Sequence, residues 1–326
     1  MEELLLYYLR IALKYHVTDI HFSLINEAEL KVEMRVNGVI RELKDQRADV
    51  RFFRYLLYRS NMDVSRTMLP QTGRFEELVD GEPVSLRFAL VSSYRIASGV
   101  LRILNNHAPL QIDDLTVSGD TSVWMKHILQ TRSGLYLFSG PTGSGKTTTL
   151  YTILNEADGK KIFTLEDPIE IYSEKYIQLQ INEKQNLGYD AGIKQLMRHD
   201  PDILMIGEIR DSTAAHMAVR CALTGHLVVS TIHARNCIGA INRMIDLGVS
   251  RLTLTDVLKG VSCQRLYSLE DGRRIGIYEV MNGKEAAYYF NNDTTSPSFH
   301  TLEDNLKEAV SRGLVPEEQA QQDLAD

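Results

Sequence analysis

The spacing of apolar positions changes near residue 108, and this change predicts two domains. Upstream, apolar residues recur at helical spacing over 1–16 and 50–61, and elsewhere they alternate with polar residues as in half-buried strands. Residues 1–107 are therefore predicted to form an α+β domain with an antiparallel sheet, in which Asn37-Gly38 makes a two-residue hairpin turn. The predicted strands are Asp19–Leu24, Leu30–Val36, Val39–Leu43, Gly73–Val79, Val84–Ser92 and Val100–Leu104.

A polar, turn-rich stretch at 108–120 is predicted to be a linker. Over 121–295 apolar strands alternate with helices, a pattern typical of a parallel sheet covered on both faces, and the polar end at 296–326 is predicted to be a helical tail. The predicted strands are Leu135–Ser139, Lys161–Leu165, Ile203–Ile206, Leu227–Ile232 and a final pair, Arg274–Met281 with Ala286–Phe290. The predicted helices are Ser122–Gln130, Lys146–Glu156, Ala191–Arg198, Ser212–Leu223, Asn236–Leu247 and Leu252–Gly260.

Composition narrows the function classes. The chain has 326 residues with 36 Lys+Arg and 43 Asp+Glu, so its formal net charge is −7, which argues against direct DNA binding. No apolar run approaches the ~18 residues of a transmembrane helix, and Glu2 and Glu3 stand where a signal peptide carries basic residues. The three cysteines form no Cys-x-x-Cys pair, so reduced thiols in a cytosolic protein are expected.

The clearest indication of function in the sequence is a glycine-rich loop. It fits the motif G-x-x-x-x-G-K-[ST] and lies between a predicted strand and a predicted helix, so the alternative of a glycine-rich turn that binds nothing is disfavoured. Backbone N–H groups and the helix N-terminus would hold phosphates, Lys146 would reach the β- and γ-phosphates of ATP, and Thr147 would bind Mg²⁺. The predicted nucleotide-binding residues are Gly140, Pro141, Thr142, Gly143, Ser144, Gly145, Lys146, Thr147 and Thr148.

Two carboxylates follow apolar strands downstream of this loop. Glu208 ends the strand Ile203–Ile206 as a Walker B acid would, and is the second predicted Mg²⁺ ligand. Glu166 ends the strand Lys161–Leu165 and could orient or deprotonate the attacking water. Locally, a surface glutamate and a solvated acidic turn are the alternatives for these two positions.

His226 and His233 flank the strand Leu227–Ile232, where they could sense the γ-phosphate or act across a subunit interface. Without other information, ordinary strand-end histidines are the favoured explanation, and metal binding is not expected because no third ligand has a suitable spacing. Several arginines, among them Arg74 and Arg87, are spread over the strands of the first domain. A solvated face is the favoured explanation, and the alternative is that some of them reach a nucleotide.

Together these residues resemble the ATPase superfamily of type II secretion and type IV pili (the GspE, PilB and PilT types). Beyond the glycine-rich loop, Leu165–Glu170 matches the family's aspartate box and Thr224–His233 its histidine box. The other matching stretches are Thr18–His21, Arg198–Asp202, Gly207–Asp211 and Gln264–Leu266, so the resemblance covers residues 4 to 285.

The resemblance implies a PAS-like N-terminal domain followed by a RecA-like P-loop ATPase domain, assembled as a homo-hexamer with ATP between the two domains. The family drives an inner-membrane platform protein, which implies a cytoplasmic protein that is peripheral to the membrane through that partner. By motif, Glu166 is the catalytic carboxylate, Glu208 the Walker B acid, and His226 and His233 the histidine-box residues. The implied nucleotide-contacting arginines are Arg74, Arg87 and Arg198, while Lys194 replaces a second interface arginine.

Departures from the family pattern favour one subfamily. Secretion and pilus-extension members carry an extra N-terminal domain and a four-cysteine zinc element after the Gln-Arg-Leu motif, but no cysteine follows Leu266 here. Retraction members carry a C-terminal Ala-Ile-Arg-Asn-Leu-type helix that this sequence lacks. The chain most resembles the competence-pilus assembly ATPases of Gram-positive bacteria, which act in DNA uptake. A retraction or secretion motor, and a nucleotide-gated regulatory scaffold with little turnover, are the alternatives.

Overall fold

The chain divides into two compact units, Met1–Ala108 and Pro109–Asp326. The computed structural model describes residues 1–15, 17–36, 39–43, 47–104, 110–181, 187–269 and 273–324. The predicted Asn37-Gly38 turn and the predicted domain boundary at residue 107 lie outside the described residues. Over the described part of the chain, no helix is both long and apolar enough to cross a membrane.

The first unit is a six-stranded antiparallel sheet with the order β3-β2-β1-β6-β5-β4. One face of the sheet is apolar and packs on both helices, where Phe22, Phe52 and Phe88 are fully buried. The elements are α1 (Glu2–Lys14), β1 (Asp19–Ile25), β2 (Glu29–Val36), β3 (Val39–Glu42), α2 (Val50–Arg59), β4 (Gln71–Val79), β5 (Glu82–Ser92) and β6 (Ile96–Ile103).

The second unit contains the remaining elements. The helices are α3 (Ile112–Leu115), α4 (Gly119–Ile128), α5 (Lys146–Asn155), α6 (Tyr189–Leu196), α7 (Ser212–Leu223), α8 (Cys237–Asp246), α9 (Arg251–Val257), α10 (Gly283–Asn292), α11 (Leu302–Ser311) and α12 (Glu317–Leu324). The strands are β7 (Gly134–Ser139), β8 (Ile162–Glu166), β9 (Tyr176–Gln180), β10 (Ile203–Ile206), β11 (Leu227–Ile232), β12 (Leu258–Ser268) and β13 (Arg274–Asn282).

These seven strands form one sheet with the order β13-β12-β7-β11-β10-β8-β9, parallel except for the β12–β13 pair. Alternate residues of β7 enter two different cores. Leu135 and Leu137 pack with α6 to α10, while Tyr136 and Phe138 pack with α3, α4 and α5. The unit therefore has three layers, and the carboxyl ends of its central parallel strands meet at one edge.

Some predicted elements are wrong. The segment Ala286–Phe290, predicted to be a strand, lies in helix α10. The Asn282 side chain caps this helix by accepting hydrogen bonds from its first backbone N–H groups. Ala286 and Tyr289 are buried at helical spacing. The partner of β13 is β12, which begins where the predicted helix Leu252–Gly260 should still continue. The stretch predicted to be a linker contains α3 and the start of α4.

A buried glutamate ties two helices to the edge of the sheet. Glu279 on β13 is 3% exposed, and its Oε1 accepts the Cys237 N–H at 2.6 Å while its Oε2 accepts the Leu302 N–H at 2.9 Å. Cys237 and Leu302 are the first residues of α8 and α11, whose initial N–H groups have no partner inside the helix. The carboxylate therefore satisfies one helix N-terminus with each oxygen, where its negative charge is also favourable.

Replacing this carboxylate should destabilise the protein. In Glu279→Gln the amide group retains one acceptor but turns an NH₂ donor toward the other helix N–H, so we expect the free energy of unfolding to fall by about 1.5–3 kcal/mol. Thermal melting of the full chain measures the effect. The matched control is Glu308→Gln, which removes an exposed pair with Arg312 and should leave the melting temperature nearly unchanged. Equal melting temperatures for the two variants would contradict the bridging role.

Candidate active site

The glycine-rich loop connects the end of β7 at Ser139 to the start of α5 at Lys146. Gly140, Gly143 and Gly145 have φ values of 142°, 82° and 86°, which residues with a Cβ rarely adopt. At Gly140 an added Cβ would also lie 2.5 Å from the backbone oxygen of Gln264. This backbone forms a tight turn directly before a helix N-terminus, which is the geometry that binds phosphate groups.

Lys146 is the charged group inside this loop. It is 8% exposed, and its Nζ donates to the carbonyl oxygens of Gly140 at 2.8 Å and Pro141 at 2.9 Å. Burial lowers the pKa of its ammonium group, and the negative charge of Glu208 partly offsets this effect. The lysine is therefore bonded to carbonyl groups of its own loop, within electrostatic range of the Glu208 carboxylate that follows β10.

Glu166 ends β8 and is the most enclosed carboxylate of the site, with 3% exposure. Its Oε1 accepts hydrogen bonds from Tyr151 Oη at 2.7 Å, Thr164 Oγ1 at 2.7 Å and Gln178 Nε2 at 3.4 Å. Gln178 Nε2 also contacts Tyr151 Oη at 2.7 Å, so the two partners support each other. The bonds described converge on one carboxylate oxygen and fix the orientation of the group.

The environment of Glu166 also alters its acidity. Desolvation raises its pKa, although the hydrogen bonds from Thr164, Tyr151 and Gln178 act in the opposite direction. Burial and the neighbouring carboxylate raise the pKa of Tyr151, so its hydroxyl stays a donor at ordinary pH. A carboxyl group with a raised pKa in a solvent-excluded position is suited to accept a proton.

Glu208 follows β10 and lies in a cluster of charged groups. Its Oε2 accepts from Arg210 Nε at 2.7 Å, and its Oε1 lies 3.1 Å from His233 Nε2 at the end of β11. Arg210 also reaches toward Asp167, with Nη1 3.9 Å from Oδ2. Three predicted residues, Glu166, Glu208 and His233, therefore lie together at the carboxyl ends of β8, β10 and β11. The glycine-rich loop follows β7 at the same edge of the sheet.

His226 and Arg198 lie away from this cluster of strand-end residues. His226 precedes β11 and is about 23 Å from His233 along the strand, at ~3.3 Å per residue. Its Nδ1 lies 3.2 Å from Thr224 Oγ1 and 3.3 Å from the Cys221 carbonyl oxygen. Arg198 is exposed on a short 3-10 helix, Met197–His199, shortly before β10. Both residues are at the amino edge of the sheet, so the fold does not bring them to the glycine-rich loop of the same chain.

Arg74 and Arg87 belong to the first unit. They lie opposite each other on β4 and β5, and Arg87 lies opposite Arg102 on β6. Arg102 in turn lies opposite Asp19 on β1 and bonds to its Oδ1 through Nε at 2.7 Å. These residues form a row across the face of the sheet that does not pack on the helices.

Sequence reasoning missed the partners of Glu166. Tyr151 lies on α5 among apolar residues, and Gln178 on β9, a strand whose mixed sequence was not predicted. Gln264 was noted only within a motif, yet its Nε2 donates to the Ser144 carbonyl at 2.6 Å. Unlike the glycine-rich loop, these residues form no local pattern, because each acts through a contact between elements that are distant in sequence.

Comparisons with known proteins identify the family of this chain. Residues 1–311 match the family model described as type II/IV secretion system protein. The competence protein ComGA of Bacillus subtilis is 31% identical over 323 residues, which cover 91% of this chain and 90% of that protein. Type II secretion system protein E of Pseudomonas aeruginosa is 37% identical over 261 residues, covering 78% of this chain but only 52% of that protein.

Solved structures show the same fold. The pilus retraction motor PilT with bound ADP superposes with a TM-score of 0.77 at 26% identity, covering 98% of this chain and 97% of PilT. The Legionella pneumophila ATPase DotB reaches a TM-score of 0.76 at 18% identity, with coverage of 97% and 94%. The chain therefore belongs to the type II/IV secretion system protein family and is a nucleotide-binding pilus or secretion motor ATPase with a RecA-like fold.

Proposed function

We propose that this chain hydrolyses ATP as a homo-hexameric motor that powers assembly of a competence type IV-like pseudopilus for DNA uptake. The support is the match to ComGA of Bacillus subtilis and of Halalkalibacterium halodurans, which are 31% and 32% identical and covered over 90% and 94% of their length. The type II secretion proteins are covered only over about half of theirs. Pilus retraction is the second candidate, because PilT is similar over nearly its whole chain.

The motor is proposed to work at the cytoplasmic face of the membrane, attached through an inner-membrane platform protein. Direct DNA binding is not part of the proposal, since the net charge is −7 and a DNA-binding surface needs clustered basic residues. The link to DNA uptake then runs through the pilus.

The observation that carries the catalytic proposal is the Glu166 clamp, the three hydrogen bonds that hold Oε1 of this carboxylate at the edge of the sheet that carries the glycine-rich loop. In the proposed reaction, the N–H groups of Gly140–Gly145 and the Lys146 ammonium bind the β- and γ-phosphates, which positions the terminal phosphoryl group. Glu166 orients the attacking water and accepts its proton through the carboxylate oxygen that Tyr151 does not hold. Because the Glu166 side chain is only 3% exposed, bulk water has little access to this proton transfer.

Thr147 and Glu208 are the residues assigned to Mg²⁺. Both offer the oxygen ligands that Mg²⁺ prefers, and neither side chain is fully buried. Bound there, Mg²⁺ would neutralise phosphate charge. Arg210 and His233 contact the Glu208 carboxylate and so determine its orientation.

Arg74, Arg87, Arg198 and His226 are proposed to act between domains or subunits of the ring. Arg74 and Arg87 face the open side of their sheet, and the exposed Arg198 lies at the amino edge of the other sheet together with His226. Such arginines would stabilise the negative charge of a nucleotide held by another part of the assembly.

Glu166→Gln should lower ATP turnover by at least about a hundredfold while ADP and ATP still bind, because the proton acceptor is lost and the phosphate-binding loop is intact. Lys146→Ala is the companion variant and should instead lose nucleotide affinity. Steady-state phosphate release and isothermal titration with ADP measure the two effects. Turnover by Glu166→Gln within a few-fold of the wild type would exclude Glu166 as the base.

The pH dependence of turnover tests the clamp on Glu166. The base is active as the carboxylate, so activity falls as the pH drops through its pKa, which burial raises above the ordinary value of 4.5. Tyr151→Phe removes a hydrogen bond that favours the charged form, so the acidic limb of the profile should move upward by about one pH unit. The control is Tyr176→Phe, since the Tyr176 ring lies 5.7 Å from that of Tyr151 but its hydroxyl bonds to Asn155. Identical acidic limbs in the wild type and Tyr151→Phe would contradict the clamp.

Deleting the gene tests the biological role. Transformation with added DNA should be abolished, a wild-type copy should restore it, and a copy carrying Glu166→Gln should not. Unchanged transformation with loss of pilus retraction or of protein secretion would instead support one of the other motors.

A further inference from the structure

Gln264 lies outside the glycine-rich loop but holds its backbone. The residue is 1% exposed on β12, and its Nε2 donates to the carbonyl oxygen of Ser144 at 2.6 Å. Ser144 and Gly145 are the last two residues before α5. A single buried side chain from another strand is therefore bonded to the peptide group that leads into the helix N-terminus.

The sheet register explains why Gln264 reaches the loop. Strands β12 and β7 are parallel, with Cys263 opposite Ser139. At Ser139 strand β7 ends and the loop begins, whereas β12 continues to Ser268. Gln264 is thus the first residue of β12 past the end of β7, alongside the loop. The contact is close, since a Cβ added to Gly145 would lie 3.4 Å from Gln264 Nε2.

The bond to Ser144 has a consequence for the next N–H group. In a trans peptide the C=O and the following N–H point in opposite directions. When Gln264 holds the Ser144 carbonyl on the β12 side, the Gly145 N–H is directed away from β12. Gly143 and Gly145 have φ values of 82° and 86°, so the loop has little intrinsic stiffness of its own. The glutamine restrains the Ser144–Gly145 peptide group, which the Lys146 bonds to Gly140 and Pro141 do not contact.

Only the donor half of the Gln264 amide is paired. Gln264 Oε1 and Ser144 Oγ are both buried without a hydrogen-bond partner among the described residues. An apolar side chain of similar size would avoid the unpaired Oε1 but would leave the Ser144 carbonyl without this donor. The amide is therefore explained by its donor, which fixes the loop.

We propose that Gln264 is a positioning residue for nucleotide binding, which aligns the Gly145 N–H with the phosphate groups by holding the Ser144 carbonyl. The inference rests on the proposed role of the loop, and it adds a residue on a different strand to the phosphate-binding machinery. Gln264 itself does not touch the nucleotide.

The first test is ADP affinity, measured by isothermal titration on the full chain. Gln264→Met keeps the size of the side chain but removes the donor, and should weaken ADP binding roughly three- to tenfold, as expected for one lost hydrogen bond. The matched control is Gln319→Ala on α12, since Gln319 bonds to Ser268 of the same strand without contacting the loop. Equal losses in both variants would assign the effect to a loosened strand and overturn the proposal.

Gln264→Glu provides a second readout that a structural role would not affect. A carboxylate cannot donate to the Ser144 carbonyl, whereas the protonated carboxyl can, and burial raises the pKa of such a group. The ratio of its ADP affinity to that of the wild type should therefore recover as the pH is lowered from about 8 to about 6. If the wild type binds ADP and this ratio is independent of pH, the positioning role is wrong. If the wild type itself does not bind ADP, the proposed function fails instead.

Discussion

The chemistry of this chain depends on the parallel pairing of β7, β11, β10 and β8. Parallel strands end at the same edge of a sheet, so residues that follow four separate strands are brought together without any being close in sequence. The glycine-rich loop follows β7, Glu166 ends β8, Glu208 follows β10 and His233 follows β11. Burial of this sheet on both faces fixes the strand ends, because alternate side chains of β7 are locked into two cores.

Two ionisable groups of the site, Lys146 and Glu166, are buried where the charged form is unfavourable, and different contacts stabilise each of them. Lys146 is neutralised in part by a nearby carboxylate and bonded to carbonyl groups of its own loop. Glu166 receives hydrogen bonds from neutral partners, which orient it without forming an ion pair. A neutral clamp leaves the carboxylate able to gain and lose a proton, whereas a salt bridge would hold it in the charged form.

The sequence predicted what is encoded locally. The glycine-rich loop is recognisable because its φ values and its Lys146 are required within eight consecutive positions, and the strand ends carrying Glu166 and Glu208 follow apolar runs. Strand β12 was missed because Gly260, Ser262 and Gln264 interrupt its apolar pattern, and its partner β13 was then paired with residues that form a helix. The two histidines looked equivalent in sequence, but the length of β11 separates them.

The outer end of β12 is held from two directions. Gln264 bonds to the loop, and four residues later Ser268 exchanges two hydrogen bonds with Gln319 of α12, while Tyr267 packs with α11 and α12. An extended strand has a fixed rise per residue, so these two contacts lie roughly 13 Å apart along β12. Strand β12 is therefore a common support for the glycine-rich loop and for the C-terminal helices.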